Sequence, residues 1–137
     1  MSARILVIED NQANMDLMIY LLQAFRYHPM VACDGEAGLA KARRNRPDLI
    51  VCDIQIPKLD GYGVARELKG DVQLRAIPLV AVTAYAMVGD RERMLAAGFD
   101  GYIAKPIDPE TFVRQIVSFL AVPLRSFASA PAPDGGG

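Results

Sequence analysis

The chain has 137 residues, a length that fits one domain with an ordinary core and leaves little room for a second. Hydrophobic residues make up 52% and charged residues 23%, with a mean hydropathy of +0.17, which excludes disorder for the body of the chain. Fifteen basic and sixteen acidic residues leave a net charge of -1, so the overall balance points to neither nucleic acid nor an anionic membrane as the main partner.

Apolar runs of strand length alternate with segments of helical period, the pattern of a parallel sheet flanked by helices. The run Arg4 to Ile8 predicts a first strand, interrupted by Glu9 and Asp10 before it reaches the length of a secretory signal. No apolar run approaches a membrane span, and a cytoplasmic protein is expected. Met15, Met18, Ile19 and Leu22 share a helical face, which predicts a helix over about residues 13 to 26 with Asn11 or Gln12 near its start. A short strand from Pro29 to Cys33 follows, then a helix from Glu36 to Asn45 that Pro47 stops. The run from Leu49 through Asp53 to Ile54 is the most continuously apolar in the chain, as expected of a central strand buried on both faces.

After a loop from Gln55 to Asp60, Gly61 opens a helix to about Lys69, and Pro78 to Val82 reads as a fourth strand with Thr83 at its end. A helix from Val88 to Ala97 closes at Gly98, a residue suited to a left-handed turn. Tyr102 to Ala104 forms a short fifth strand running into Lys105 and Pro106. Pro109 suits the first turn of a last helix whose Phe112, Ile116, Val117 and Leu120 face the sheet. Residues 1–122 are therefore expected to form one domain, and residues 123–137, rich in Ser, Ala, Pro and Gly, a flexible tail.

In an open parallel α/β sheet, ligands bind beyond the carboxyl ends of the strands. Glu9 and Asp10 follow the first strand, Asp53 ends the third, Thr83 the fourth and Lys105 the fifth. Packing favours apolar residues there, so three carboxylates, a hydroxyl and an ammonium on one edge read as a site. Clustered carboxylates repel one another and tend to hold protons unless something compensates. A hard divalent cation, Mg²⁺ or Mn²⁺, is the natural remedy, with Asp10 and Asp53 as direct ligands, Glu9 acting through water and the backbone carbonyl of Gln55 placed to contribute. Asp53 can then serve as the nucleophile of an in-line phosphoryl transfer, while Lys105 and the Thr83 hydroxyl cover phosphoryl oxygens.

Across about residues 3 to 121 the chain resembles the receiver domains of bacterial response regulators, the CheY-like superfamily. The resemblance lies in ILVIEDN from Ile5 to Asn11, the loop from Asp53 through Pro57 to Gly61, the pair Thr83 and Ala84, and the stretch from Ala97 through Gly98 and Tyr102 to Pro106. It implies a flavodoxin-like, doubly wound sheet of five parallel strands in the order 2-1-3-4-5 with five helices. It also implies a phosphoryl group on Asp53, taken from a sensor histidine kinase or a histidine phosphotransfer protein, and a Lys105–Pro106 bond that is often cis. Thr83, Ala84, Lys105 and Tyr102 would bind the phosphoryl group and switch, with Thr83 moving toward it and Tyr102 rotating inward. The face of the fourth helix, fifth strand and fifth helix would then bind a downstream protein, the chain itself being a monomer or weak dimer. Val82 to Met87 with Gly89 and Asp90 is similar to stand-alone cell-cycle regulators of the DivK type and to receiver modules of hybrid histidine kinases. Gln55 and Tyr85, two residues after Asp53 and Thr83, stand where the family tunes phosphoryl lifetime.

Several residues have plainer readings. Lys41, Arg43, Arg44 and Arg46 suit a solvated helix end, His28 a loop, and Asp60 and Asp108 turns or caps. Met15, Met18, Met87 and Met94 suit core or interface filling. Cys33 and Cys52, outside any CxxC pair, read as buried reduced thiols. Three other functions are weighed. A phosphate-independent binding module is disfavoured by the complete site. A Mg²⁺-dependent phosphatase is disfavoured by Gln55, where such enzymes carry a second Asp. A DNA-binding regulator is disfavoured because about sixteen residues follow the last helix, too few for a helix-turn-helix. A fragment of a longer hybrid kinase remains compatible with the tail.

Overall fold

The computed structural model describes residues 3–84 and 88–121; Tyr85, Met87 and the expected tail lie outside the described residues. Ten elements alternate along the chain: β1 (Arg4–Ile8), α1 (Gln12–Ala24), β2 (His28–Ala32), α2 (Gly35–Asn45), β3 (Leu49–Asp53), α3 (Gly61–Lys69), β4 (Leu79–Thr83), α4 (Val88–Ala97), β5 (Gly101–Ala104) and α5 (Phe112–Val117). All strand pairs are parallel, and the sheet runs β2-β1-β3-β4-β5, the expected flavodoxin-like order.

Alternation along the strands explains why both faces are covered. Ile5, Val7, Leu49, Val51, Val80 and Val82 pack into one core with α1 and α5. The intervening residues Leu6, Ile8, Ile50, Cys52, Leu79 and Ala81 pack into a second core with α2, α3 and α4. Met15 and Met18 fill the first core and Met94 the second, as their helical spacing predicts. β3, in the middle, is buried at every residue.

Three of the helices that begin at the carboxyl edge of the sheet, α1, α2 and α3, start from side-chain caps, which fixes where each connecting loop ends. Asn11 Oδ1 accepts from the Asn14 N–H at 2.9 Å, Asp34 Oδ1 from the Ala37 N–H at 2.7 Å, and Asp60 Oδ1 from the Gly63 N–H at 2.8 Å. Gly61 is needed beside the last of these caps, because a Cβ there would lie 2.7 Å from the Asp53 carbonyl oxygen. Gly98 takes φ 110° at the end of α4, the left-handed turn its type suggests.

Four expectations shift. The second strand begins one residue early, because Arg26 turns left-handed at φ 67° and the Tyr27 N–H reaches back to the Leu22 carbonyl at 2.9 Å. His28 is therefore not a loop residue: it opens β2, exposed, in register with Arg4. Cys33, expected to be buried, falls just past Ala32 and is exposed, whereas Cys52 is buried as expected. Pro109 precedes the last helix instead of lying in its first turn, because the Asp108 carbonyl accepts from both the Thr111 and Phe112 N–H groups and tightens the entry. Phe112, Ile116, Val117 and Leu120 are nonetheless buried together.

The basic end of α2 is only partly the free solvated surface its sequence suggests. Arg43 and Arg44 are exposed, but the Arg4 guanidinium donates to the carbonyls of Asn45 at 2.6 Å and Arg46 at 2.7 Å. These bonds satisfy carbonyls that a helix end leaves without partners.

Candidate functional site

The carboxyl edge of the sheet carries the chemistry because the strands end there in polar residues. Glu9 and Asp10 leave β1 in opposite directions: Glu9 is 1% exposed, whereas Asp10 is exposed. Asp53, the last residue of β3, and Thr83, the last of β4, are both buried. Lys105 follows β5, and its N–H donates to the Thr83 carbonyl at 2.8 Å, which places its side chain over the middle of the sheet. The Lys105–Pro106 bond is cis.

The Lys105 ammonium donates to Asp53 Oδ2 at 2.8 Å and lies 3.2 Å from Glu9 Oε1. Asp53 Oδ1 accepts from the Gln55 N–H and Glu9 Oε2 from the Asn11 N–H, each at 3.1 Å. Asp10, Asp53, Gln55, Ala84 and Lys105 line a cleft of about 350 Å³. Asn11 and Asn14 line it too, a role sequence reasoning missed for both residues. Their signal was spacing: Asn14 lies three residues after the capping Asn11, on the same side of the first turn. Tyr102 is half-buried on β5, packed against the second core and not lining the cleft. Asp108 Oδ1 accepts from the Glu110 N–H at 2.9 Å, a turn role like the one its sequence suggests.

Burial, and then the neighbouring Asp53 carboxylate, push the Glu9 carboxyl up from 4.5 to about 7; the Asn11 N–H and the Lys105 charge act the other way. Burial alone would lower the Lys105 ammonium, but its hydrogen bond to Asp53 and the charges of Asp53 and Glu9 outweigh that, so it is raised and stays charged. A raised Glu9 means that the folded protein holds a proton that the unfolded chain releases near pH 4.5. The resulting stabilisation is complete below that pH and is lost as pH rises through about 7. The metal-free urea midpoint is therefore expected to fall between pH 5 and pH 7.5, and Glu9→Gln to flatten the slope; an equal slope in the variant would assign it to another group.

The donor set fits a hard divalent cation. Glu9, Asp10 and Asp53 can each offer an oxygen within 4.8 Å of the others, and buried Glu9 Oε1 shares with Asp53 a single positive charge, the Lys105 ammonium 3.2 Å away. One ammonium does not balance three clustered carboxylates, and a divalent cation would supply the missing charge.

The fold is flavodoxin-like, with an acidic cleft closed by a lysine at the carboxyl edge of its sheet. Residues 5–117 match the response regulator receiver domain, and the chain belongs to that family. It is a receiver of two-component signal transduction, a family of signal proteins and not of enzymes that turn over a separate substrate. The polar-differentiation response regulator DivK of Brucella anthropi is 43% identical over 120 residues, covering 88% of this chain and 98% of the relative. The receiver domain of sensor histidine kinase PA1611 from Pseudomonas aeruginosa, with a magnesium ion coordinated in its active site cleft, superposes with a TM-score of 0.80 at 34% identity, covering 87% of this chain and 98% of that one. The Vibrio cholerae chemotaxis protein CheY4 superposes with a TM-score of 0.83 at 26% identity, covering 88% of this chain and all of that one. Among the described residues, no helix is long and apolar enough to cross a membrane.

Proposed function

We propose that Asp53 accepts a phosphoryl group from a sensor histidine kinase or a histidine phosphotransfer protein and that the chain signals by the resulting change in protein binding. The observation that carries this reading is the Lys105 ammonium held 2.8 Å from Asp53 inside a cluster of three carboxylates. A buried carboxylate so placed is a ready nucleophile, and the ammonium remains to neutralise charge on a transferred phosphoryl oxygen. Asp10, Asp53 and the Gln55 carbonyl would hold Mg²⁺ or Mn²⁺, with Glu9 acting through water. When bound, the cation supplies further neutralisation of phosphoryl charge. Thr83 and Ala84, at the end of β4, would bind and sense the phosphoryl group, with Tyr102 responding on the adjacent β5.

The downstream partner is a protein docking on the α4–β5–α5 face, where Leu95 is 50% exposed and Tyr102 half-buried. The reading further takes residues 1–122 as the receiver unit, acting as a monomer or weak dimer in the cytoplasm. Receiver family membership supports self-catalysed phosphorylation and dephosphorylation as its only chemistry.

The test is transfer from a radiolabelled, histidine-phosphorylated phosphotransfer protein. The label is expected to leave the donor, become sensitive to hydroxylamine as an acyl phosphate, and map by borohydride reduction and peptide analysis to Asp53. Label on Ser, Thr or His would overturn the assignment.

A further inference from the structure

We propose that Asn14 is a substrate-contacting residue that selects the phosphodonor by hydrogen-bonding its leaving group, an inference that rests on the reading of Asp53 as acceptor. Asn14 sits in the first turn of α1 and lines the cleft. Its backbone N–H is used by the Asn11 cap at 2.9 Å, but its half-buried side-chain amide makes no hydrogen bond among the described residues.

Sheet order places that amide. β3 lies between β1 and β4, so Asn14 approaches Asp53 from the β1 side, while Ala84 and Lys105 stand on the β4–β5 side. The Lys105 ammonium already serves Asp53 Oδ2 at 2.8 Å, and Thr83 ends β4 on the same side. The β1 side offers carboxylates, which repel anions, and the amides of Asn11 and Asn14. Asn11 Oδ1 is committed to its cap, which leaves the Asn14 amide as a neutral group with both donor and acceptor capacity.

During transfer an Asp53 oxygen supplies the electron pair of the new O–P bond, and the pair of the broken donor bond departs with the leaving group. From acetyl phosphate that group is acetate, whose oxygen gains negative charge and accepts a hydrogen bond. From phosphoramidate it is ammonia, leaving from a protonated nitrogen that donates. An amide accommodates both, whereas a carboxylate accepts from the amine and repels the acetate. A contact that strengthens as charge develops lowers the barrier.

The experiment measures phosphoryl gain by intact mass, with Mg²⁺, from acetyl phosphate and from phosphoramidate, for the wild type, Asn14→Ala and Asn14→Asp. Asn14→Asp is expected to slow acetyl phosphate about tenfold, the worth of one hydrogen bond, while phosphoramidate slows less than about threefold. Asn14→Ala is expected to slow acetyl phosphate by a similar factor. A purely structural role would slow both donors alike, so a donor ratio unchanged within about twofold in both variants overturns the proposal. A wild type that gains no phosphoryl group from either donor would instead overturn the receiver reading, and this inference with it.

Discussion

Lys105→Met is expected to slow phosphoryl gain at Asp53 by at least about 100-fold, the scale seen when one preorganised donor to developing charge is removed. The ammonium is 2.8 Å from Asp53 Oδ2 and 3.2 Å from Glu9 Oε1, and its side chain is only 18% exposed. No other cation contacts either carboxylate among the described residues. Met keeps the length and apolar stem of the side chain, so the loss is one of charge more than packing. The same change leaves two buried carboxylates facing each other, and the metal-free protein should lose about 2 to 3 kcal/mol near neutral pH, somewhat below the range for a fully buried pair. Acid or Mg²⁺ should restore part of that loss, because either one neutralises the pair. Stopped-flow or mass-based rates and urea denaturation at pH 7.5 measure the two effects. A variant that accepts phosphoryl within about threefold of the wild type would remove Lys105 from the site.

Phe112→Ala is expected to cost about 3 to 5 kcal/mol, a large part of the stability of a domain this size. Phe112 is fully buried in the core shared with Met18, Val80, Ile103 and Ile116. α5 has only six residues and no side-chain cap from Thr111, so packing, not intrinsic helix propensity, holds it against the sheet. A urea midpoint that reports a loss under about 1 kcal/mol would show that α5 is not anchored by this ring. Because the Asp108 carbonyl sets the entry to α5, the damage should be confined to that side of the sheet, and Mg²⁺ affinity should change little in protein that remains folded.

Strand positions could be read from the chain because apolar runs that end in polar residues mark each strand, whereas their order followed only from the resemblance to receiver domains. Asp53 and Thr83 stand out because each ends a continuously apolar run, where packing alone would place another Val or Ile. Boundaries were harder. β2 slid by one residue because a left-handed Arg26 ended α1 early, and no sequence signal marks a non-glycine residue for that conformation. That slip moved Cys33 into solvent. Glu9 and Asp10 look equivalent in sequence, yet one is buried and the other exposed, because residues leaving a strand alternate between its sides. The 3.2 Å approach of Lys105 to Glu9 and the capping of α2 by Arg4 each join residues more than forty positions apart, so only the folded sheet reveals them. Asn14 escaped for a related reason: its place in the cleft follows from where the Asn11 cap starts the helix.

The measurement that bears most directly on the central claim is intact-protein mass after incubation with acetyl phosphate, run with Mg²⁺, with EDTA, and with Asp53→Asn. The predicted result is the gain of one phosphoryl group that requires Mg²⁺, is released by hydroxylamine and is absent from the variant. A gain that persists in Asp53→Asn or in EDTA would contradict the account, as would a wild type that gains nothing from this donor or from a phosphorylated histidine protein.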